Sequence, residues 1–234
     1  MAKKMTIKEA VKITGGLSSP GKMPCRSFNL PALITCPLGR ELAKQPGTSC
    51  SDCYALKGRY YFSNVKAAMN RRYKLLKSAI KNPVKRWRWV QAMTFLINNQ
   101  SPKYFRWHDS GDIFNADYLL MIFDVAYYTP RVHHWIPTKE LALVSQHRHI
   151  IPSNVTFRIS SANQSRPLDT NLPVAHVEKM DDYGTPESIK RVAAAGGLLC
   201  LAKARMKKKS AEQACGNCRA CWDPNIKTIV YPLH

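Results

Sequence analysis

The 234-residue sequence has no run approaching the roughly 18 apolar residues of a membrane-crossing helix. That absence excludes a helical span. Met1-Ala2-Lys3-Lys4 is basic, but no unbroken apolar stretch follows, so a secretory leader is not expected and the cytoplasm is the expected compartment. Acid is also scarce. Fifteen Asp and Glu stand against thirty-six Lys and Arg, a formal charge of +21 with a pI near 9.9. A small soluble domain needs a net charge of only about 2–8 in magnitude. The surplus points to a polyanionic partner, nucleic acid being the usual one. No amphipathic stretch is left free of the core to lie on a membrane, so no membrane partner is expected. Internal repeats and composition breaks are absent too, and residues 1–234 read as a single α/β domain.

Cysteine is abundant: there are eight. In a reducing compartment this favours metal binding over a disulfide framework. Cys215-Gly216-Asn217-Cys218-Arg219-Ala220-Cys221 places thiols at i, i+3 and i+6. Two residues between thiols let a tight turn aim both sulfurs at one point. A triple at this spacing is the run of four-iron ferredoxin sites, whereas zinc more often uses two separated pairs. The alternative, unrelated structural cysteines, needs chance to put three thiols in seven residues. Cys200, at the end of an expected strand, is the expected fourth ligand. The segment 200–224 therefore reads as metal-binding. A second pair lies in Cys50-Ser51-Asp52-Cys53-Tyr54-Ala55, with Cys36 and Cys25 both available to complete it. A zinc knuckle or a buried thiol pair remains the plainer account of that pair. Pro24, Pro31, Pro37 and Pro46 forbid a long helix here, so residues 1–58 read as a loop-rich, cysteine-containing lead-in.

A short helix opens the chain, with Thr6 as cap and Glu9 completing a capping box. Ser63 to Lys81 reads as a helix with Val65, Met69, Leu76 and Ile80 on one stripe. Pro83 starts another. From residue 101 strands and helices alternate. Strands are expected at 103–107, 132–136, 155–161, 174–177, 198–201 and 228–231. This alternation predicts a mainly parallel sheet with right-handed crossovers, a partial or full (β/α) barrel.

Function in such folds sits where strands end. His108-Asp109-Ser110-Gly111-Asp112 follows the first of these strands, making Asp109, Ser110 and Asp112 candidate catalytic residues. Asp112 serves equally well as a helix cap. Thr138, Lys139 and Glu140 follow the second strand, and Ser160, Ser161, Asn163 and Gln164 the third. His133 and His134 alternate across a strand and are read as structural. Lys57, Arg59, Arg71, Arg72, Lys85, Arg86, Arg88, Lys207, Lys208 and Lys209 are the candidate nucleic-acid contacts. Arg86 and Arg88 interleave with Trp87 and Trp89, as in grooves that track phosphates and stack bases. Each tryptophan taken singly is the expected core residue.

Several of these stretches carry a resemblance. Gly15-Gly16-Leu17-Ser18-Ser19-Pro20, Cys50-Ser51-Asp52-Cys53-Tyr54-Ala55-Leu56-Lys57-Gly58-Arg59-Tyr60, His108-Asp109-Ser110-Gly111-Asp112 and Cys215-Gly216-Asn217-Cys218-Arg219-Ala220-Cys221-Trp222 resemble the bacteriophage gene-product-88 family over nearly the whole chain. A phage origin implies the host cytoplasm, and the family brings no reaction with it. Cys50-Ser51-Asp52-Cys53-Tyr54-Ala55 also resembles the cluster loop of radical S-adenosylmethionine barrels. That resemblance implies Cys36, Cys50 and Cys53 on a reactive 4Fe-4S cluster with S-adenosylmethionine as cofactor. Cys200, Cys215, Cys218 and Cys221 would then hold an auxiliary cluster. Asp109-Ser110-Gly111 is similar to the turn of guanine transglycosylases, barrels with a cysteine-bound zinc. That implies zinc and a catalytic Asp109 exchanging bases in DNA. Three functions are therefore expected to compete: an iron–sulfur enzyme on nucleic acid or a nucleotide, a zinc-dependent base-exchange enzyme, and a non-enzymatic, metal-stapled nucleic-acid-binding protein.

Overall fold

A computed structural model describes residues 4–162, 168, 170–206 and 214–233. Helix α1 (Ile7–Thr14) carries the capping box: Thr6 Oγ accepts from Glu9 N, and Glu9 reaches back to Thr6 N. It ends at Gly15 in the left-handed conformation. Strand β1 (Arg26–Phe28) and helix α2 (Pro37–Leu42) follow, inside the segment expected to be loop-rich. Pro37 sits in the first turn of α2, where its missing N–H costs nothing, so proline starts this short helix. β1 is three residues long, too short to show a period. Helices α3 (Ser63–Ile80) and α4 (Pro83–Gln100) come next. Asn82 caps α4 by accepting from Lys85 N.

The alternation expected from residue 101 is present: β2 (Tyr104–Trp107), α5 (Ala116–Tyr127), β3 (His133–Thr138), α6 (Leu141–Gln146) and β4 (Val155–Ser160). β5 (Val174–Glu178), α7 (Pro186–Ala194), β6 (Gly197–Leu199), α8 (Ala202–Met206) and β7 (Thr228–Pro232) complete the described chain. Its seven strands form one all-parallel sheet, in the order β1-β2-β3-β4-β5-β7-β6. The first five advance in one direction, the winding of a barrel. Helices α3, α4, α5 and α6 contribute to the core on one face of the sheet. Phe28, Phe105, Trp107, Ile136, Phe157 and Ile159 point to that face and share a core with Trp89, Tyr118 and Ile122 from the helices. Among the described strands β1 and β6 remain as edges, so no hydrogen-bonded closure is seen.

The order reverses once, between β6 and β7. A right-handed connection running backward must cross the opposite face. The cysteine-bearing segment does so. Trp222 packs edge-on against Trp135, and Thr156 donates to Trp222 O. Trp135, Thr156 and Arg158 alternate with the helix-facing set. Arg158 lies at 0% exposure, and its guanidinium donates to the carbonyls of Ala220, Cys221, Asp223 and Ile226. One arginine thus satisfies a turn whose own backbone makes no ladder. No described helix is long and apolar enough to cross a membrane.

Candidate functional site

The ends of β1, β2 and β3 are laced together by backbone and short polar side chains. His108 N donates to Phe28 O, Leu30 N to Ser110 O, and Asp112 N to Thr35 O. Gly111 sits at φ +86°, and a Cβ there would stand 2.6 Å from Thr35 Oγ1 and 2.7 Å from Leu30 Cβ. Ser110 Oγ donates to Leu30 O at 2.9 Å. Asp112 accepts from Thr138 Oγ1, Lys139 N and Ile113 N. Burial raises its pKa to about 6 despite those bonds. Both side chains therefore join loops: Ser110 ties the β2 end to Leu30, and Asp112 ties it to the β3 end. Asp109 differs. Its N–H goes to Asn29 Oδ1 and its carbonyl accepts from Tyr54 Oη at 2.6 Å and Tyr60 Oη at 3.3 Å. Its carboxylate Oδ1 is buried with no hydrogen-bond partner.

Three thiols gather beside this turn. Cys36 immediately precedes α2, while Cys50 and Cys53 lie in the turn that follows it, with Cys53 N donating to Cys50 O. Gly39 leaves the space between them open. A Cβ there would lie 3.0 Å from Cys36 Cβ and 3.5 Å from Cys50 Sγ. Lys139 anchors the loop, its Nζ donating to Ser49 Oγ at 2.8 Å and Ser161 O at 2.9 Å. Glu140 Oε1 accepts from Leu38 N in the first turn of α2. Burial pushes the Cys36 thiol up to about 12, and Asp112, Cys53 and Cys50 add to it. Burial also raises Cys50, with Lys139 opposing. Lys139 is lowered by burial while Cys50, Asp112, Cys53 and Cys36 pull the other way. Lys139 belonged to an expected polar run, yet its reach to the thiols depends on β3, β4 and the 49–53 turn meeting in space.

A second thiol group lies on the inner face. Cys200 follows β6, with its N–H on Val230 O. Cys221 Sγ is 3.2 Å from Tyr231 Oη. Cys215 Sγ is 4.0 Å from Met23 Sδ, in the segment leading into β1. That segment brings Cys25, whose thiol is pushed up to about 12, by burial first, with Arg106 opposing and Cys215 and Cys221 adding. Cys221 likewise rises to about 12 through burial. Cys218 is exposed, so the triple does not turn inward as one unit.

Among the described residues no three His, Cys, Asp or Glu side chains stand where a single metal ion would hold them. A lone zinc needs ligands at about 2.0–2.3 Å, which packs its donors tightly. A four-iron cluster spaces its thiolates more widely. Cys36 and Cys50 border the gap at Gly39, and Cys53 is near enough to raise the Cys36 thiol.

The expected nucleic-acid contacts are dispersed. Arg72 is buried under Gly15–Gly16, donating to Gly16 O at 2.8 Å, so it is a structural residue and not an exposed contact. Arg71 donates to Gly15 O, Lys85 to Ser78 Oγ, and Lys57 and Arg86 pair with Asp52 and Asp117. Arg59 and Arg88 are exposed. Asn163, Gln164, Lys207, Lys208 and Lys209 lie outside the described residues.

Fold and site together define an α/β protein whose parallel sheet carries thiol-bearing loops at its strand ends and across its inner face. The chain belongs to the Gene product 88 family, whose family model matches residues 2–224. No curated protein and no solved structure matches it.

Proposed function

We propose that the chain is an iron–sulfur protein, a radical S-adenosylmethionine-like enzyme acting on nucleic acid or a nucleotide. Cys36, Cys50 and Cys53 would hold the reactive cluster, and Cys200, Cys215, Cys218 and Cys221 an auxiliary one. The observation that carries this reading is the meeting of Cys36 with the Cys50–Cys53 turn beside Lys139, at the ends of parallel strands. Such a cluster supplies one-electron transfer when bound. The residues around it have separable tasks. Lys139 keeps a positive charge against the thiolates, and Gly39 keeps their space clear. Asp109 offers an unpartnered buried oxygen that can hold a proton or accept one from an amine.

Zinc is the rival metal, with Asp109 then doing base exchange, and metal-stapled binding without chemistry is the third reading. Anaerobic purification followed by iron, sulfide and zinc analysis separates them. Brown protein carrying iron and sulfide is the expected result, with the first cluster's share lost on Cys50→Ser, the auxiliary share remaining, and both kept on Asp109→Asn. Colourless protein with stoichiometric zinc overturns it.

A further inference from the structure

Helix α4 presents a stripe that its neighbours leave uncovered. Trp87, Gln91, Asn98 and Asn99, with Tyr128 beyond the end of α5, line a groove of about 510 Å³. Trp87 and Tyr128 meet edge to face at 5.3 Å, and each is 46% exposed. Thr94 also lines the groove, and its Oγ1 is buried without a hydrogen-bond partner. At the next residue, Gln100, a second groove of about 230 Å³ begins, walled by Lys103, Tyr104 and Arg219. Arg219 sits over the Tyr104 ring at 5.3 Å and donates to the carbonyls of Gly216 and Cys218. From Trp87 to Gln100 the helix rises about 20 Å at 1.5 Å per residue. No acidic side chain lines either groove. Arg88, the residue after Trp87 in α4, is exposed.

Exposed rings and neutral amide edges in the first groove, and unopposed cations in the second, are the parts of a single-strand site, where bases stack and phosphates meet positive charge. We propose that the two grooves form one track for single-stranded nucleic acid, bases stacking on Trp87 and Tyr128 and phosphates meeting Lys103 and Arg219. The chain's +21 charge supplies the attraction that brings such a strand to the track. The proposal rests on the nucleic-acid half of the reading above and not on its metal.

The test uses the full chain as purified without metal, with fluorescein-labelled oligo-dT and oligo-U, by anisotropy over a salt series. Trp87→Ala should weaken binding by about 5- to 150-fold, one lost stacking contact, and leave the salt slope unchanged. Lys103→Ala should lower the slope of log K against log salt by about 0.7. Lys190→Ala, on α7 beside the far edge of the sheet, removes the same charge and should do neither. Far-UV circular dichroism and the unfolding midpoint check that each variant folds. Equal losses from Lys190→Ala and Lys103→Ala overturn the track. So does duplex DNA binding as tightly as single strand with Trp87→Ala silent. Light scattering that shows a dimer, made monomeric by Trp87→Ala, overturns it by assigning the groove to a second copy. Binding that meets these expectations in protein that never takes up iron removes the cluster reading alone.

Discussion

At the scale of single residues, burial decides which groups are available for chemistry. His134 is fully enclosed, with Trp107 Nε1 donating to its Nδ1 and Thr129 Oγ1 at 2.8 Å from its Nε2. Burial pulls its pKa down to about 3, and His108 falls to about 3 for the same reason. A depressed folded pKa means the unfolded chain takes up the proton first. Stability from both histidines is therefore present above about pH 6.5 and is lost as the pH falls toward 3. Asp112 acts oppositely, since its raised pKa near 6 makes the fold bind a proton before the unfolded chain does. Two histidines outweigh one aspartate. Urea midpoints measured between pH 7 and pH 4 should fall, and His134→Gln should flatten that fall. Lys139→Met should lower the unfolding free energy by about 1.5–3 kcal/mol, read as a lower urea midpoint at unchanged m-value, the cost of unmaking charged hydrogen bonds to Ser49 and Ser161. Only part of this was visible in the chain's pattern. His133 and His134 were expected to be structural from strand alternation, and His134 proves enclosed. Asp112 and Ser110 were expected to be catalytic because they follow a strand, but the order of residues does not reveal that Thr138 and Leu30 engage them.

At the scale of elements, two glycines make a comparison. Gly111 and Gly47 have similar backbone angles, φ +86° and +79°. A Cβ at Gly47 meets nothing within 4 Å, while one at Gly111 meets Thr35 and Leu30 at under 3 Å. Gly47→Ala should cost only the left-handed penalty of about 1–2 kcal/mol. Gly111→Ala should cost more, about 3 kcal/mol or above, because the β1 and β2 loops must also part. Equal losses in urea unfolding would show that the loops are not in contact there. Most elements were legible beforehand. The α3 stripe, the Pro83 start and the alternation after residue 101 depend on local period and caps, which neighbours in sequence supply. β1 and α2 were not legible, because three residues and six residues carry too little period to outweigh the prolines around them.

At the scale of the molecule, the connection from β6 to β7 closes over the inner face, and Arg158 is its clasp. Arg158→Met leaves four carbonyls in the 220–226 turn without their donor. The expected loss is at least about 3 kcal/mol, with tryptic cleavage after Arg219 becoming faster than cleavage within α3 and α4. Unchanged cleavage at Arg219 would mean that Trp222 alone holds the segment down. The same segment explains why Cys25, offered by the sequence as a partner for Cys50 and Cys53, stands with the other thiol group. It lies far from residues 200–221 in sequence, and only the lead-in to β1 crossing this face brings it beside Cys215 and Cys221.

The sequence by itself determined the charge, the parallel α/β alternation, the family and the identity of the thiols, because each is written in composition, period or a contiguous motif. Only the tertiary structure decided which thiols meet, that Lys139 stands among the first group, and that the last connection covers the inner face. Those are contacts between strand ends and long loops, and no local pattern encodes where two distant loops arrive.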